Sequence, residues 1–126
     1  MKLRLLNVVI MAENYQKLVD WYINALGLEL QQEWTEDYHY AELAYDKHLV
    51  VGITPASELK HQPTMPRNNA TIIQLVVSDI KAFYERIKKY EGKVLFEINF
   101  DEKEQFYFGA VADIEGNEIW VIQAKS

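Results

Sequence analysis

The residue types best suited to metal or acid–base chemistry are few in this chain. There are three histidines, His39, His48 and His61, set among 19 aspartates and glutamates. A transition-metal site needs several histidines or carboxylates that point to one place. No carboxylate lies two or four residues further along the strand that His48 begins, and His61 lies in a proline-containing polar stretch. We therefore interpret all three histidines as surface residues.

Other reactive groups are also missing from the sequence. There is no cysteine, which excludes disulfides, a thiolate nucleophile and a Cys-ligated metal site. The spacing of the remaining residues shows no Ser-His-Asp set, no phosphate-binding glycine loop and no close carboxylate pair. We expect neither a bound metal nor another cofactor.

The charge balance limits the partners. The chain has 13 lysines and arginines against 19 acidic residues, a formal net charge of −6. Nucleic-acid binding draws most of its affinity from basic residues, so we expect no such partner. No apolar run is long enough for a membrane span or a signal peptide, which favours a cytoplasmic protein without a membrane partner. An acidic chain suits a cationic small molecule, although solubility explains the charge equally well.

The secondary structure that positions these side chains is predicted to occur as a repeat. Pro55, Pro63 and Pro66 all fall in residues 55–69, and proline clusters mark connections. With an offset of 65, the apolar residues 7–12 fall on residues 72–77, two runs of strand length. The sequence is therefore interpreted as a repeat of about fifty residues on each side of the connection.

The same offset aligns two predicted helices. Asn14 falls on Asp79, and both residue types accept a hydrogen bond from the free N–H groups of a helix start. Apolar residues with helical spacing follow each of them. Gly27 falls on Gly92, where each helix would end at a residue tolerant of a left-handed backbone.

Three strands are predicted after each helix, at 28–34, 38–45 and 48–54 and at 93–100, 105–112 and 118–123. The fold class is therefore α+β, with two βαβββ modules at about 1–54 and about 70–126, joined by the connection 55–69 within one domain of residues 1–126. One helix covers only one face of a sheet, so the other face must close on the other module, a second chain or a ligand.

This order of elements, and three segments in particular, resemble the vicinal oxygen chelate superfamily, which includes glyoxalase I, bleomycin resistance proteins, fosfomycin resistance enzymes and extradiol dioxygenases. The resemblance implies curved mixed sheets that form a cleft, and a homodimer. The segments are Leu6-Asn7-Val8-Val9-Ile10, Asp20-Trp21-Tyr22-Ile23-Asn24-Ala25-Leu26-Gly27-Leu28-Glu29 and Ala112-Asp113-Ile114-Glu115-Gly116-Asn117-Glu118-Ile119-Trp120.

The resemblance also implies where a metal would be held. Family enzymes bind one divalent ion with four strand residues, and these positions fall on Asn7, Gly52, Ile72 and Trp120 in this chain. Three of the four have no side-chain lone pair, and an asparagine oxygen is a weak ligand for transition metals. The resemblance thus favours the metal-free branch, that of the bleomycin resistance proteins, over the usual metal-dependent enzymes.

Strand alternation from these positions predicts a largely aromatic cleft with a few polar groups, a composition typical of small-molecule sites. Trp120 has the central place, and a fully buried indole there would leave a void worth about 3–5 kcal/mol when removed. The predicted ligand-binding residues are Asn7, Trp34, Tyr40, Glu42, Gln74, Phe108 and Trp120.

Three functions remain open from the sequence. The first is a metal-free protein that binds a small organic ligand. The second is a lyase, isomerase or dioxygenase-type enzyme with an unrecognised metal site, or with Glu42 as a general base. The third is a dimeric interaction module in which aromatic side chains such as Phe108 fill the cleft as core.

Overall fold

In a computed structural model of the chain, residues 1–58 and 71–124 are described. The chain divides into two compact units, Met1–Gln62 and Pro63–Ser126, which we call the first and second module. His61 and residues 59–69 of the predicted connection lie outside the described residues. The elements are β1 Val8–Ala12, α1 Tyr15–Leu26, β2 Glu29–Trp34, β3 Tyr40–Tyr45, β4 His48–Pro55, a 3₁₀ turn Ala56–Glu58, β5 Ile73–Val76, α2 Ile80–Lys89, β6 Lys93–Asp101, β7 Phe106–Ala112 and β8 Glu118–Ala124.

Among the described residues, each module contains one four-stranded mixed sheet and one α-helix. The strand orders are β1-β4-β3-β2 and β5-β8-β7-β6, and in this part of the chain the β1–β4 and β5–β8 pairs are parallel and the other pairs antiparallel. These observations confirm the predicted α+β class with two βαβββ modules. The described helices have 12 and 10 residues, and neither is long and apolar enough to cross a membrane.

Both helices begin at the predicted capping residues. The Asn14 side chain accepts a hydrogen bond from Lys17 N–H at 3.2 Å, and the Asp79 side chain accepts one from Ala82 N–H at 3.0 Å. The apolar face of each helix then packs on its own sheet. The buried helix residues are Leu18, Val19, Trp21, Tyr22 and Ala25 in α1 and Ile80, Phe83, Tyr84 and Ile87 in α2.

The helices end differently, contrary to the prediction that Gly27 and Gly92 are equivalent. Gly27 has the predicted left-handed backbone, with φ of 71°. In the second module Glu91 takes that conformation, with φ of 67°, and the prediction for Gly92 is wrong. Glu91 N–H donates to Lys88 O and Gly92 N–H donates to Ile87 O, which are the two bonds of a Schellman ending. That ending requires the left-handed residue one position before Gly92.

A buried tyrosine joins two strands of the second sheet. The β6–β7 register shifts on both sides of Phe96, which interrupts the regular ladder. The Tyr84 hydroxyl accepts a hydrogen bond from Ala110 N–H at 3.0 Å and donates one to Phe96 O at 2.9 Å. Gly109 leaves room for this hydroxyl, because a Cβ there would overlap it. Burial raises the pKa of Tyr84, so the phenol remains a donor at neutral pH.

The turn before β8 is fixed by a buried carboxylate. Asp113 is 1% exposed, and its Oδ1 accepts hydrogen bonds from Glu115 N–H at 2.9 Å and Asn117 N–H at 3.0 Å. The Asn117 side-chain amide donates to Asp113 Oδ2 at 2.9 Å. These bonds fix the length of the β7–β8 connection and therefore the register at which β8 pairs with its neighbours.

Candidate functional site

Trp120, the central residue of the predicted site, lies on the sheet face of the second module that points away from α2. Gln74, Trp120, Ala110 and Phe96 are paired in one row across β5, β8, β7 and β6. Side chains in one row of a sheet lie on the same face, so an amide, an indole and a phenyl ring are aligned around a small alanine. Trp120 and Ala110 are direct partners across the β7–β8 hairpin.

A cleft of about 400 Å³ opens on this face, and all of its lining residues belong to the second module. Its walls are mostly apolar, with four aromatic side chains among the ten lining residues. The Phe108 ring makes edge contacts with Phe96 and Phe106, with ring centroids 6.1 Å and 5.9 Å apart. The lining residues include Gln74, Phe96, Phe106, Phe108, Glu118 and Trp120.

Trp120 stands at the side of this cleft rather than inside a core. It is 45% exposed, and its indole Nε1–H donates a hydrogen bond to Glu118 Oε2 at 2.8 Å. The expectation of a void worth about 3–5 kcal/mol after removal of this side chain is therefore wrong, since that cost applies to a buried ring. The hydrogen bond fixes the orientation of the indole beside a carboxylate.

The corresponding face of the first module has the same pairing and different side chains. Val9, Gly52 and Glu42 form one row across β1, β4 and β3. Val9 and Gln74 are equivalent under the offset of 65, and they pair with Gly52 and Trp120 respectively. Gly52 and Trp120 are therefore equivalent positions by strand pairing.

Three predicted site residues of the first module are in contact. Asn7 Nδ2–H donates a hydrogen bond to the Tyr40 hydroxyl at 3.2 Å, and the Trp34 ring lies edge-on to Tyr40 with centroids 5.5 Å apart. The Tyr40 hydroxyl lies over Gly52, where a Cβ would overlap it. Glu42 is half-buried on the same face, and its carboxylate has no hydrogen-bond partner among residues 1–58 and 71–124.

A separate polar group in the first module involves a histidine. His39 Nδ1 lies 2.7 Å from Glu58 Oε2, and His39 N–H donates to Glu58 Oε1 at 2.7 Å. The backbone hydrogen bond is the main reason that the pKa of Glu58 is lowered, and the side-chain bond adds to it. The Tyr15 hydroxyl donates to Glu33 Oε2 at 2.7 Å, and burial, followed by this bond, raises the pKa of Tyr15. His48 is exposed at the start of β4.

The residues at the four family metal positions do not fit a metal. Gly52 has no side chain, Ile72 and Trp120 offer no lone pair, and the amide oxygen of Asn7 is a weak ligand for transition metals. Within residues 1–58 and 71–124, no group of three or more histidines and carboxylates is placed to hold a metal ion. We therefore derive no chemical step through a metal.

Seven of the ten lining residues of the cleft were absent from the predicted site, among them Phe96, Phe106 and Glu118. Phe106 and Glu118 have the same strand parity as Phe108 and Trp120, so alternation alone was sufficient to find them. Phe96 lies between two register shifts of β6, where counting residues no longer gives the face.

Comparisons of the fold with solved structures agree with the strand order. TioX from Micromonospora sp. ML1 matches with a TM-score of 0.76 at 15% identity, covering 95% of this chain and 98% of that chain. TnmS3, an antibiotic binding protein from Streptomyces sp. CB03234, matches with a TM-score of 0.75 at 16% identity over 98% of both chains. A glyoxalase I mutant from Zea mays matches with a TM-score of 0.73 at 15% identity, covering 98% of this chain and 46% of that one. At these identities the similarity shows the fold alone.

A sequence search among curated proteins gave no match. The profile of the Glyoxalase/Bleomycin resistance protein/Dioxygenase superfamily, by contrast, matches residues 4–121, nearly the whole chain. Together with the two βαβββ modules, this match identifies the chain as a member of the Glyoxalase/Bleomycin resistance protein/Dioxygenase superfamily.

Proposed function

We propose that this chain is a metal-independent binding protein that holds a small organic molecule in the cleft of its second module. The observation that carries the proposal is the cleft itself, about 400 Å³ in volume with walls formed by Phe96, Phe106, Phe108 and Trp120. Ligand pockets commonly have volumes of about 300–1,000 Å³ and apolar walls with a few polar groups. Gln74 supplies such a group at the edge of the aromatic surface.

The residues at the four family metal positions support the proposal that binding is metal-independent. A divalent ion bound by this fold needs four side chains with lone pairs, and three of the four positions here lack them. Binding through shape, stacking and hydrogen bonds requires no such ligands.

One solved structure with the same fold supports a binding role. TnmS3, which has the same fold, is an antibiotic binding protein. Because its identity to this chain is 16%, its ligand is not transferred here, and only the class of function is proposed.

Other predicted properties remain proposals. We propose a homodimer, as the resemblance to the superfamily implies, with an interface that leaves the cleft of the second module open. We also propose a cytoplasmic location, no nucleic-acid partner and a single domain of residues 1–126. The roles of Asn7, Trp34, Tyr40 and Glu42 as ligand contacts, and of Glu42 as a base, stay predictions.

The test begins with a ligand found by thermal shift, because a molecule that binds only the folded state raises its melting temperature. Trp120→Ala should weaken that ligand by about 2 kcal/mol, the loss expected for an aromatic anchor, or roughly 30-fold in Kd. Tyr45→Ala, which removes a 62% exposed aromatic side chain of β3, is the matched control and should leave the Kd unchanged.

Metal analysis of protein purified without chelator completes the test. We expect no stoichiometric zinc, nickel, manganese or iron. A stoichiometric metal, or a folded Trp120→Ala variant with the parent's Kd, would contradict the proposal.

A further inference from the structure

We infer that Glu118 selects for positive charge, so that the cleft of the second module takes a planar organic cation. The inference rests on the proposed function and names the class of ligand. Among the lining residues, the charged side chains are Asp101 and Glu118, and both are acidic. No lysine or arginine lines the cleft within the described residues.

The two carboxylates are not equivalent. Asp101 Oδ1 accepts a hydrogen bond from Glu104 N–H at 2.9 Å, which closes the turn between β6 and β7. Glu118 Oε2 accepts the Trp120 indole N–H at 2.8 Å. The other oxygen, Glu118 Oε1, has no hydrogen-bond partner among residues 1–58 and 71–124. Each carboxylate thus has one oxygen without a hydrogen-bond partner among the described residues, but of the two only Glu118 is bonded to an aromatic ring of the cleft, so Glu118 is the one that can act together with that ring on a ligand.

The Glu118–Trp120 contact places a negative charge and an aromatic face side by side. An indole face attracts cations through its quadrupole, and a carboxylate forms charge-assisted hydrogen bonds with protonated nitrogen. Because both groups favour the same charge, they act together on a flat ring that carries a basic nitrogen. The chain's net charge of −6 adds a long-range attraction for cations.

The alternatives differ in what they require from Glu118. An anionic aromatic ligand would be repelled by both carboxylates. A neutral aromatic ligand would stack on the rings without depending on the charge at position 118. A second copy of the chain covering this face would exclude small molecules altogether.

Three tricyclic probes of similar size separate these cases: 9-aminoacridine, a cation at neutral pH, anthracene-9-methanol, which is neutral, and anthracene-9-carboxylate, an anion. Affinities are measured by fluorescence titration at low and high salt, with the oligomeric state followed by light scattering. We expect the cation to bind at least tenfold more tightly than the anion, with the difference reduced by salt.

The decisive variant is Glu118→Gln, which removes the charge and keeps an amide oxygen for the Trp120 N–H. We expect about a tenfold loss of affinity for 9-aminoacridine and less than a twofold change for anthracene-9-methanol. Glu85→Gln is the matched control, since Glu85 is exposed on α2 and its loss removes the same charge elsewhere in the module. Glu118→Asp should retain most of the preference, and circular dichroism establishes that each variant is folded.

The outcomes separate the inference from the proposed function. If the neutral probe binds and Trp120→Ala weakens it while Glu118→Gln leaves the cation unaffected, the inference is wrong and the proposed function stands. Equal binding of cation and anion by the parent has the same meaning. If none of the probes binds and Trp120→Ala abolishes the dimer, a second copy of the chain covers the cleft face, and both proposals are overturned.

Discussion

In both modules a tyrosine hydroxyl lies over a strand glycine, but it does so on opposite faces of the two sheets. In the first module Tyr40 covers Gly52 on the face away from α1 and is bonded to Asn7. In the second module Tyr84 reaches from α2 over Gly109 and bonds to the backbone of β6 and β7. One tyrosine occupies an open face, and the other reinforces a sheet from its helix side.

The residues at two equivalent positions give these two faces different surfaces. Gly52 and Trp120 are equivalent by strand pairing, and so are Tyr40 and Phe108, each twelve residues earlier. Without a side chain at position 52, a ring can lie across the sheet. With an indole at position 120, aromatic rings line a cleft of about 400 Å³. The same topology therefore carries a self-covered face in one module and an open aromatic face in the other.

The largest effect that tests this comparison is expected from Gly109→Ala. The new methyl group would overlap Tyr84, which is 2% exposed and held by two hydrogen bonds, so it cannot move without breaking them. We expect a loss of about 3 kcal/mol in the free energy of unfolding, measured with urea, from overpacking and disturbed hydrogen bonds.

Gly52→Ala is the matched change in the first module. Its methyl group would overlap the end of the half-buried Tyr40 side chain, which can turn away toward solvent, so we expect a loss of about 1 kcal/mol. Equal losses for the two variants would show that Tyr40 is held as rigidly as Tyr84.

In each module, removal of only the tyrosine hydroxyl should cost less than the glycine substitution that displaces it. Tyr84→Phe leaves the buried Ala110 N–H without its acceptor, and this costs about 2 kcal/mol. Tyr40→Phe removes one 3.2 Å bond from a half-buried asparagine and should cost about 0.5 kcal/mol. Urea unfolding of both variants measures the difference, and a larger loss for Tyr40→Phe would reverse the assigned roles.

The smallest effect concerns a surface contact of the first module, the pairing of His39 with Glu58. Because this pairing lowers the pKa of Glu58 below its ordinary value of about 4.5, its stabilising contribution is present above that pH. It is lost as the pH falls through the lowered pKa. Urea midpoints between pH 6 and pH 3 should therefore fall less steeply for Glu58→Gln than for the parent.

Glu36→Gln provides the control for that titration, since Glu36 is an exposed residue of the β2–β3 connection without such a contact in the described part of the chain. This variant should follow the parent. Identical profiles for the parent and Glu58→Gln would show that the contact contributes nothing to stability, as is common for exposed pairs.

Most of the fold follows from local patterns in the sequence. The caps at Asn14 and Asp79 and the alternation along β7 and β8 depend on neighbours within a few residues, so they can be predicted from the chain. The end of α2 could not be placed because a Schellman ending at Glu91 depends on hydrogen bonds rather than on the nearest glycine.

The site was less accessible to sequence analysis. Phe96 is hidden by the register shifts of β6, which are stabilised by Tyr84, a residue of another element. The contact between Tyr40 and Asn7 joins residues 33 positions apart and depends on the missing side chain at Gly52. Such features arise from tertiary packing, and a pattern of alternating residues contains no information about them.

The hydrogen bonds of Asp113 restrict the length of the β7–β8 turn more than they restrict the side chains on the cleft face. Insertion of one residue between Asp113 and Glu118 would shift β8 by one position and exchange its two faces, turning Val121 toward the cleft and Trp120 toward α2. Substitutions on the cleft face, in contrast, leave the pairing intact. The second module should thus tolerate replacement of side chains in the cleft better than a change in the length of the β7–β8 turn.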